Sequence, residues 1–313
     1  MKSRRSLRAL LPSLTATLFV LMGASPLSFA QQHAVAITID DLPRGGDGGS
    51  YNLATLQAMT RQLLAPFREQ KIPVTGFVNA GRGALPAQDL RSMLDLWLDA
   101  GADLGNHSFS HPDLNSVPLA DYEADVLKGE PALRAVLEPR GKKLIYYRHP
   151  FLHLGTTAAD KKGLQDFLDA HGYRVAPVTF DTSDYMYAAL YQRADSRERA
   201  RAEYIPYMES VVAFFEQRAV EVVGHEFPQI LLMHANQLNA DTMPELLAMF
   251  RKRGYRFVSL DEALRDPAYQ SGENYIGRGG FSWIHRWSRF KGMPNKGEPD
   301  PSEWALKTYD GPR

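Results

Sequence analysis

Two histidines and two adjacent aspartates are the residues of this chain best suited to chemistry. His107 and His111 lie four residues apart, and on one helical turn two imidazoles at that spacing face the same side and can share a cation. Asp40 and Asp41 directly follow the apolar run 35–39, and adjacent side chains on an extended segment point to opposite faces. One carboxylate could then bind a metal while the other activates a water, as a metal-dependent hydrolase requires.

The ligand types narrow the choice of metal. Two imidazoles and one carboxylate without a thiolate suit one divalent ion, with zinc first and cobalt, nickel or iron as alternatives. The competing interpretation is that the histidines cap a turn and the aspartates lie in a solvated loop. Two acids directly after an apolar strand argue against it, so we expect one of these two aspartates to bind the metal together with His107 and His111.

The chain has 313 residues and no cysteine. Disulfides, thiolate metal sites and cysteine nucleophiles are therefore excluded. This length suits one large α/β domain or two small ones, and a core of that size needs no metal merely to fold. Any metal site is accordingly predicted to be catalytic.

The elements that must position these residues alternate along the chain. Strands separated by helices of the observed length indicate βαβ units and a parallel sheet. Seven such units favour a distorted (β/α)7 barrel of parallel strands over an open sheet. The predicted strands are 33–40, 72–79, 103–107, 143–148, 173–181, 229–234 and 256–260, and the predicted helices are 53–70, 90–100, 119–137, 158–171, 199–223 with an interruption near Pro206, and 243–253.

Polar side chains recur where the predicted strands end. In a parallel α/β barrel, functional groups lie at the carboxyl ends of the strands. The residues at or just after these ends are Asp40, Asp41, His107, His111, Arg148, Asp181, Asp184 and His234. We expect them to share one end of the barrel.

The first thirty residues have the pattern of an export signal. Four basic residues among the first eight precede an apolar stretch over residues 10–24, and small residues at 28–30 predict cleavage after Ala30. A retained anchor is the alternative, but the stretch is short for a span of ~20 residues. We expect an exported bacterial protein, periplasmic or secreted, without a stable membrane span. Its mature part has 32 basic and 36 acidic residues, a formal charge of −4, which gives no electrostatic basis for binding nucleic acid.

Five short motifs, in their order and spacing, resemble those of the polysaccharide deacetylases with a NodB-homology domain, carbohydrate esterase family four. They are residues 38–41 (TIDD), 107–111 (HSFSH), 148–151 (RHPF), 181–185 (DTSDY) and 231–234 (LLMH). The resemblance implies a deacetylase domain over residues 31–265, after a signal peptide at 1–30. Residues 266–313 are then an irregular, aromatic-rich extension packed on the domain.

The resemblance also implies a role for individual positions, and it gives Asp41, His107 and His111 as the metal ligands. Asp40 would be the general base, and Arg148 would pair with it and hold it ionised. His234 would be the general acid that protonates the leaving amine, oriented by Asp184. Asp181 would only support these groups.

The substrate-binding positions follow from the third and fourth motifs. The backbone N–H of Phe151 would stabilise the oxyanion together with the metal, and Pro150 and Tyr185 would lie against the substrate. Tyr185 stands where the family usually has tryptophan, and Ile39 where phenylalanine is common, so the sugar contacts near Tyr185 are expected to differ.

The activity implied is removal of N-acetyl groups from an N-acetylglucosamine-containing glycan such as peptidoglycan, a chitin-like oligomer or poly-N-acetylglucosamine, with release of acetate. Amide hydrolysis needs an activated water, a cation at the carbonyl oxygen and an acid for nitrogen, and the set supplies all three. The alternatives are an ester hydrolase on acetylated polysaccharide such as xylan, a glycan-binding relative without turnover, and a metal-free hydrolase of a ureide ring. The last typically lacks a metal ligand, whereas all three are present here.

Overall fold

Seven parallel strands and ten helices make up the part of the chain that a computed structural model describes, residues 33–311. The strands are β1 (Ala34–Leu42), β2 (Val74–Val78), β3 (Asp103–Asn106), β4 (Tyr146–Tyr147), β5 (Arg174–Val175), β6 (Gln229–His234) and β7 (Arg256–Phe257). The helices are α1 (Leu53–Gln70), α2 (Ala87–Asp99), α3 (Leu119–Leu137), α4 (Ala158–Ala170), α5 (Asp184–Tyr191), α6 (Arg197–Val223), α7 (Gln237–Lys252), α8 (Leu260–Ala263), α9 (Trp283–Phe290) and α10 (Glu303–Asp310). The predicted signal peptide, residues 1–30, lies outside the described residues.

The sheet is curled, and β1 pairs with three other strands. The strand order is β5-β4-β3-β2-β1-β6, and β7 pairs with the start of β1. Every pairing is parallel, and helices surround the sheet. The prediction of a parallel α/β fold of the distorted-barrel type is confirmed, in the form of a curled half-barrel.

The predicted strand 173–181 is divided in two. Arg174 and Val175 pair with β4, whereas Phe180 pairs with Leu231 of β6. Pro177 lies between the two pairings and has no N–H to donate to a ladder. The segment therefore begins beside one edge of the sheet and ends beside the other, which brings the two edges towards closure.

Helix α6 is continuous through Pro206, so the predicted interruption there is wrong. A proline inside a helix removes one hydrogen bond and usually destabilises it by ~3 kcal/mol. Helix α6 packs against α5, α7 and α9, and ten of its side chains are buried. This packing outweighs the lost hydrogen bond.

The segment after α8 is more regular than expected. It contains α9 and α10, and it contacts the segment between β5 and β6. The N–H of Trp283 donates to Val178, and the hydroxyl of Ser282 donates to Thr179. Trp287 is buried among the apolar side chains of the core. Among residues 33–311, no helix is both long and apolar enough to cross a membrane.

Candidate metal and catalytic site

The carboxyl ends of four strands bring the predicted residues together. Asp40 and Asp41 lie near the end of β1, and Asp40 is in register with His234, the last residue of β6. His107 directly follows β3, and Arg148 directly follows β4. Because parallel strands end at the same edge of a sheet, these five side chains converge.

Asp41, His107 and His111 face one another across a small gap. Oδ1 of Asp41 is 3.5 Å from Nε2 of His111 and 3.7 Å from Nε2 of His107, and the candidate ligand atoms all lie within 4.8 Å of one another. These distances are too long for hydrogen bonds. Two ligands that each lie ~2.0–2.1 Å from a tetrahedral ion are about 3.3 Å apart, so the spacing suits a shared small cation.

Two further observations support a cation between these groups. Oδ1 of Asp41 is buried and has no hydrogen-bond partner, and an unpaired buried carboxylate oxygen is costly. Nδ1 of His107 lies 2.8 Å from the carbonyl oxygen of Arg148, so Nδ1–H donates and Nε2 keeps its lone pair. Burial and the neighbouring His111 lower the pKa of His107, which favours the neutral, ligating imidazole. The three residues therefore fit a divalent ion.

The backbone conformation of the first two motifs differs from the extended segment and the helical turn expected from the sequence. Residues 107–111 form a loop rather than a helical turn, and left-handed Ser108 (φ 68°) and His111 (φ 60°) bring the two imidazoles together. Asp40 and Asp41 do not point to opposite faces, because Asp41 is also left-handed (φ 66°). Both carboxylates consequently lie within 3.8 Å of Nε2 of His107.

Left-handed backbone is concentrated in the motifs. Among residues 33–311, seven non-glycine residues have positive φ, and five of them belong to the first three motifs or directly follow them: Asp41, Ser108, His111, Phe151 and Leu152. Each such conformation costs about 1–3 kcal/mol and persists only where its surroundings impose it. These strained conformations therefore lower the free energy of unfolding, and they are concentrated at this edge of the sheet.

Asp40 is buried beside Arg148. Nη1 of Arg148 donates to Oδ2 of Asp40 at 3.2 Å, and Nη2 donates to the hydroxyl of Thr38 at 2.9 Å. Burial raises the pKa of Asp40 to about 6, although Arg148 and His234 lower it. The expectation that Arg148 favours the ionised carboxylate holds in direction, but burial outweighs it. A pKa near neutral suits a general base.

His234 and Asp184 form a tight pair. Oδ1 of Asp184 accepts from Nδ1 of His234 at 2.7 Å, while Oδ2 accepts from the backbone N–H of His234 and the amide of Asn239, both at 2.8 Å. Burial lowers the pKa of His234, but the attraction and hydrogen bond of Asp184 outweigh it, and the pKa rises to about 9. His234 is therefore protonated at neutral pH.

A cleft of about 650 Å³ opens over these groups. Phe151 and Tyr185 are exposed along it, with 52% and 45% of their surface accessible, whereas Pro150 is buried beneath. Asp181 also lines the cleft, and burial together with Glu298 raises its pKa to about 7. The extension contributes to the lining through Gly280, Glu298 and Tyr309.

Sequence reasoning missed several residues of the site. Arg82 donates from Nη1 to Oδ2 of Asp41 at 2.8 Å, yet a single arginine in a loop after β2 has no spacing that would indicate this contact. Asn239 was also missed. Its amide donates to Asp184 from the first turn of α7, and the predicted helix began only at residue 243. The aromatic residues of the extension indicated packing on the domain, but not that residues of the extension reach the cleft.

Comparisons with known proteins agree with the motifs. Residues 30–167, which include the first three motifs, match the family model described as polysaccharide deacetylase. The chain is 25% identical to a chitin deacetylase of Colletotrichum lindemuthianum over 251 residues, covering 78% of this chain and 85% of that protein. The predicted resemblance to the polysaccharide deacetylases is confirmed by both matches.

Solved structures share the fold at low sequence identity. The Colletotrichum lindemuthianum chitin deacetylase matches with a TM-score of 0.51 at 23% identity, covering 76% of this chain and 89% of that one. A polysaccharide deacetylase from Bacillus cereus matches with a TM-score of 0.52 at 18% identity, covering 73% of this chain and 92% of that one. A protein from Bacillus anthracis, described as a pseudoenzyme of carbohydrate esterase family four, matches with a TM-score of 0.52 at 14% identity. The match covers 75% of this chain and 66% of that one. Since the fold is shared with a pseudoenzyme, turnover has to be argued from the site.

Proposed function

We propose that this protein is a metal-dependent deacetylase that hydrolyses N-acetyl groups of an N-acetylglucosamine-containing glycan and releases acetate. The observation that carries the proposal is the convergence of Asp41, His107 and His111 with an unpaired buried carboxylate oxygen between them. Asp40 and His234 lie beside this ligand set on neighbouring strands. This arrangement supports the catalytic roles that the motifs imply.

Asp40 is proposed to act as the general base. When bound, a divalent ion would polarise the acetyl carbonyl and acidify a water, with zinc the best match to the ligand types. Oδ1 of Asp40 is buried without a hydrogen-bond partner and is available to take a proton from the attacking water. Arg148 holds the other oxygen in place, so the carboxylate has one orientation.

Phe151 and His234 are proposed to complete the reaction. The backbone N–H of Phe151 would donate to the oxygen that gains charge as water adds to the carbonyl carbon. His234 would then give its Nε2 proton to the nitrogen as the C–N bond breaks, which leaves acetate and a free amine. Asp184 fixes the imidazole through Nδ1, so Nε2 is the nitrogen left to act.

The protonated His234 favours an amide over an ester substrate. An amine is a poor leaving group unless its nitrogen is protonated, whereas an alkoxide leaves more easily. A histidine whose pKa is held near 9 is suited to the harder reaction. Hydrolysis of O-acetyl esters on a polysaccharide such as xylan stays the second candidate in the same site.

Acetate release with metal analysis on the same sample tests the proposal. The panel contains chitin oligomers, peptidoglycan, poly-N-acetylglucosamine and acetylated xylan. We expect release from an N-acetylated glycan, loss after chelation and recovery with added zinc or cobalt. Release from xylan alone would favour the esterase, and bound metal without any release would favour a glycan-binding relative. Full activity in a chelated, metal-depleted sample would rule out the metal mechanism.

A further inference from the structure

The loop that carries Phe151 has a strained backbone. Phe151 (φ 56°, ψ 10°) and Leu152 (φ 55°) are consecutive left-handed residues, and neither is glycine. Within the loop, the N–H of Leu152 donates to His149 and the N–H of His153 donates to Pro150. Each left-handed residue costs about 1–3 kcal/mol, so contacts from outside the loop are needed to hold this conformation.

Arg286 of α9 supplies one such contact. Its Nη2 donates to the carbonyl oxygen of Leu152 at 2.7 Å, and its Nε donates to the carbonyl oxygen of Phe281 at 3.3 Å. The side chain is only 1% exposed and is surrounded by the rings of Tyr275, Phe281 and Trp283. Burying a guanidinium is costly unless it is paired; Nη1 of Arg286 makes no hydrogen bond and lies 3.7 Å from Oε2 of Glu273, so the bond from Nη2 to Leu152 is one of the few that offset this cost.

Gly280 supplies a second contact on the same loop. A Cβ atom at this position would lie 1.8 Å from the carbonyl oxygen of Phe151 and 3.0 Å from Cδ2 of His153. No side chain fits at such a distance, so only glycine lets the extension pack directly on the Phe151–Leu152 peptide. Two residues of the extension therefore contact adjacent carbonyl groups of the loop.

We propose that the C-terminal extension, through Gly280 and Arg286, positions the backbone N–H of Phe151 for stabilising the oxyanion. The proposal rests on the proposed deacetylase function, because that function gives the N–H its role. Neither residue reaches the reacting atoms, so both act as positioning residues. An error of about 1 Å in placing such a group can reduce the rate by roughly 100-fold. Precise placement of this N–H is therefore the benefit that accompanies the strained backbone of the loop.

Arg286→Lys tests the hydrogen bond to Leu152, and Arg289→Lys is its matched control. Arg289 lies on the same helix against the same two rings, Tyr275 and Phe281, but is exposed and makes no hydrogen bond to the loop. For Arg286→Lys we expect kcat to fall roughly tenfold to 100-fold, with KM and metal content near those of the unaltered protein. Arg289→Lys should leave all three unchanged. An unchanged kcat in Arg286→Lys would overturn the proposal.

Gly280→Ala tests the close packing and decides the question if Arg286→Lys does not fold. Its control is Gly297→Ala, where an added Cβ would meet nothing within 4 Å. We expect a fall in kcat and faster deuterium exchange of the amides at residues 151–153 for Gly280→Ala only. Equal exchange and equal kcat in the two variants would contradict the proposal.

The exchange measurement separates this proposal from the proposed function. If the unaltered protein releases no acetate from any glycan, the deacetylase function fails. Faster exchange at residues 151–153 in Gly280→Ala and Arg286→Lys would still show that the extension holds the loop. Slow exchange in both variants, together with normal acetate release, would leave the deacetylase intact and rule out the positioning role.

Discussion

Oδ1 of Asp184 lies 2.7 Å from Nδ1 of His234, and this carboxylate is completely buried. Asn239 and the backbone N–H of His234 hold its second oxygen, so Asp184 cannot turn away from the imidazole. Burial raises the pKa of Asp184, but His234 and the hydrogen bonds outweigh burial and lower it. The pair is therefore a fixed carboxylate and a protonated imidazole over a wide range of pH.

This relationship predicts the alkaline limit of activity. A general acid must carry its proton, and the pKa of His234 is raised to about 9, so kcat should be sustained through neutral pH and fall as the pH rises past about 9. In Asp184→Asn the attraction that raises the pKa is lost, so the fall should move towards the ordinary histidine value of about 6.5. We also expect kcat to drop roughly 10²–10⁴-fold. A pH–rate profile of both proteins checks this, and an unmoved alkaline limit would show that another group is the acid.

The two adjacent aspartates should respond differently to removal of charge. Asp40→Asn is expected to abolish turnover and leave the metal bound, because Asp40 is proposed to take a proton and not to ligate. Its pKa of about 6, raised by burial, also predicts that activity of the unaltered protein falls as the pH drops below about 6. Metal analysis and acetate release on the same sample check this, and loss of metal from Asp40→Asn would reverse our assignment of the two acids.

Much of the fold was predictable because hydrophobic periodicity is a local property. The bounds of α1, α3 and β6 agree with the predicted segments residue for residue. Helix α5 was missed, since its eight residues are apolar almost all round and carry no clear 3.6-residue pattern. Helices α9 and α10 were missed because each has only eight residues and lies between stretches rich in glycine and proline.

The convergence of the candidate site residues was predictable, but their backbone geometry was not. Strand ends brought His107, Arg148 and His234 to one edge, as the pattern indicated. The left-handed backbone at Asp41 and His111 could not be read from residue type, because neither is glycine and the conformation is imposed by the surrounding fold. The contact of Arg82 with Asp41 could not be predicted either, because the two residues lie 41 positions apart in the chain.

Metal binding should stabilise the folded protein through the histidine ligands. A ligand present at 100 times its dissociation constant stabilises the folded state by roughly 2.7 kcal/mol. We expect zinc to raise the melting temperature of the unaltered protein and not that of His111→Ala. His171→Ala is the control, because His171 is exposed at the end of α4 and its loss should leave the zinc response unchanged. An equal zinc response in His111→Ala would remove this residue from the ligand set.

Arg82 is predicted to tune the metal site through Asp41. It holds Oδ2 of Asp41 at 2.8 Å and thereby turns Oδ1 towards the two histidines. Partners that orient a ligand in this way typically change metal affinity by about 10–100-fold. Arg82 is 21% exposed, so solvent screens its repulsion of a cation, and orientation should dominate.

Arg82→Ala should therefore bind zinc roughly 10–100-fold more weakly and regain kcat when zinc is saturating. Arg91→Ala is the control, since Arg91 is an exposed arginine on α2 paired only loosely with Asp95, at 3.8 Å. Zinc titration by competition with a chelating dye measures both affinities. Tighter binding in Arg82→Ala would show that repulsion of the cation, rather than orientation of Asp41, is the larger effect of this arginine.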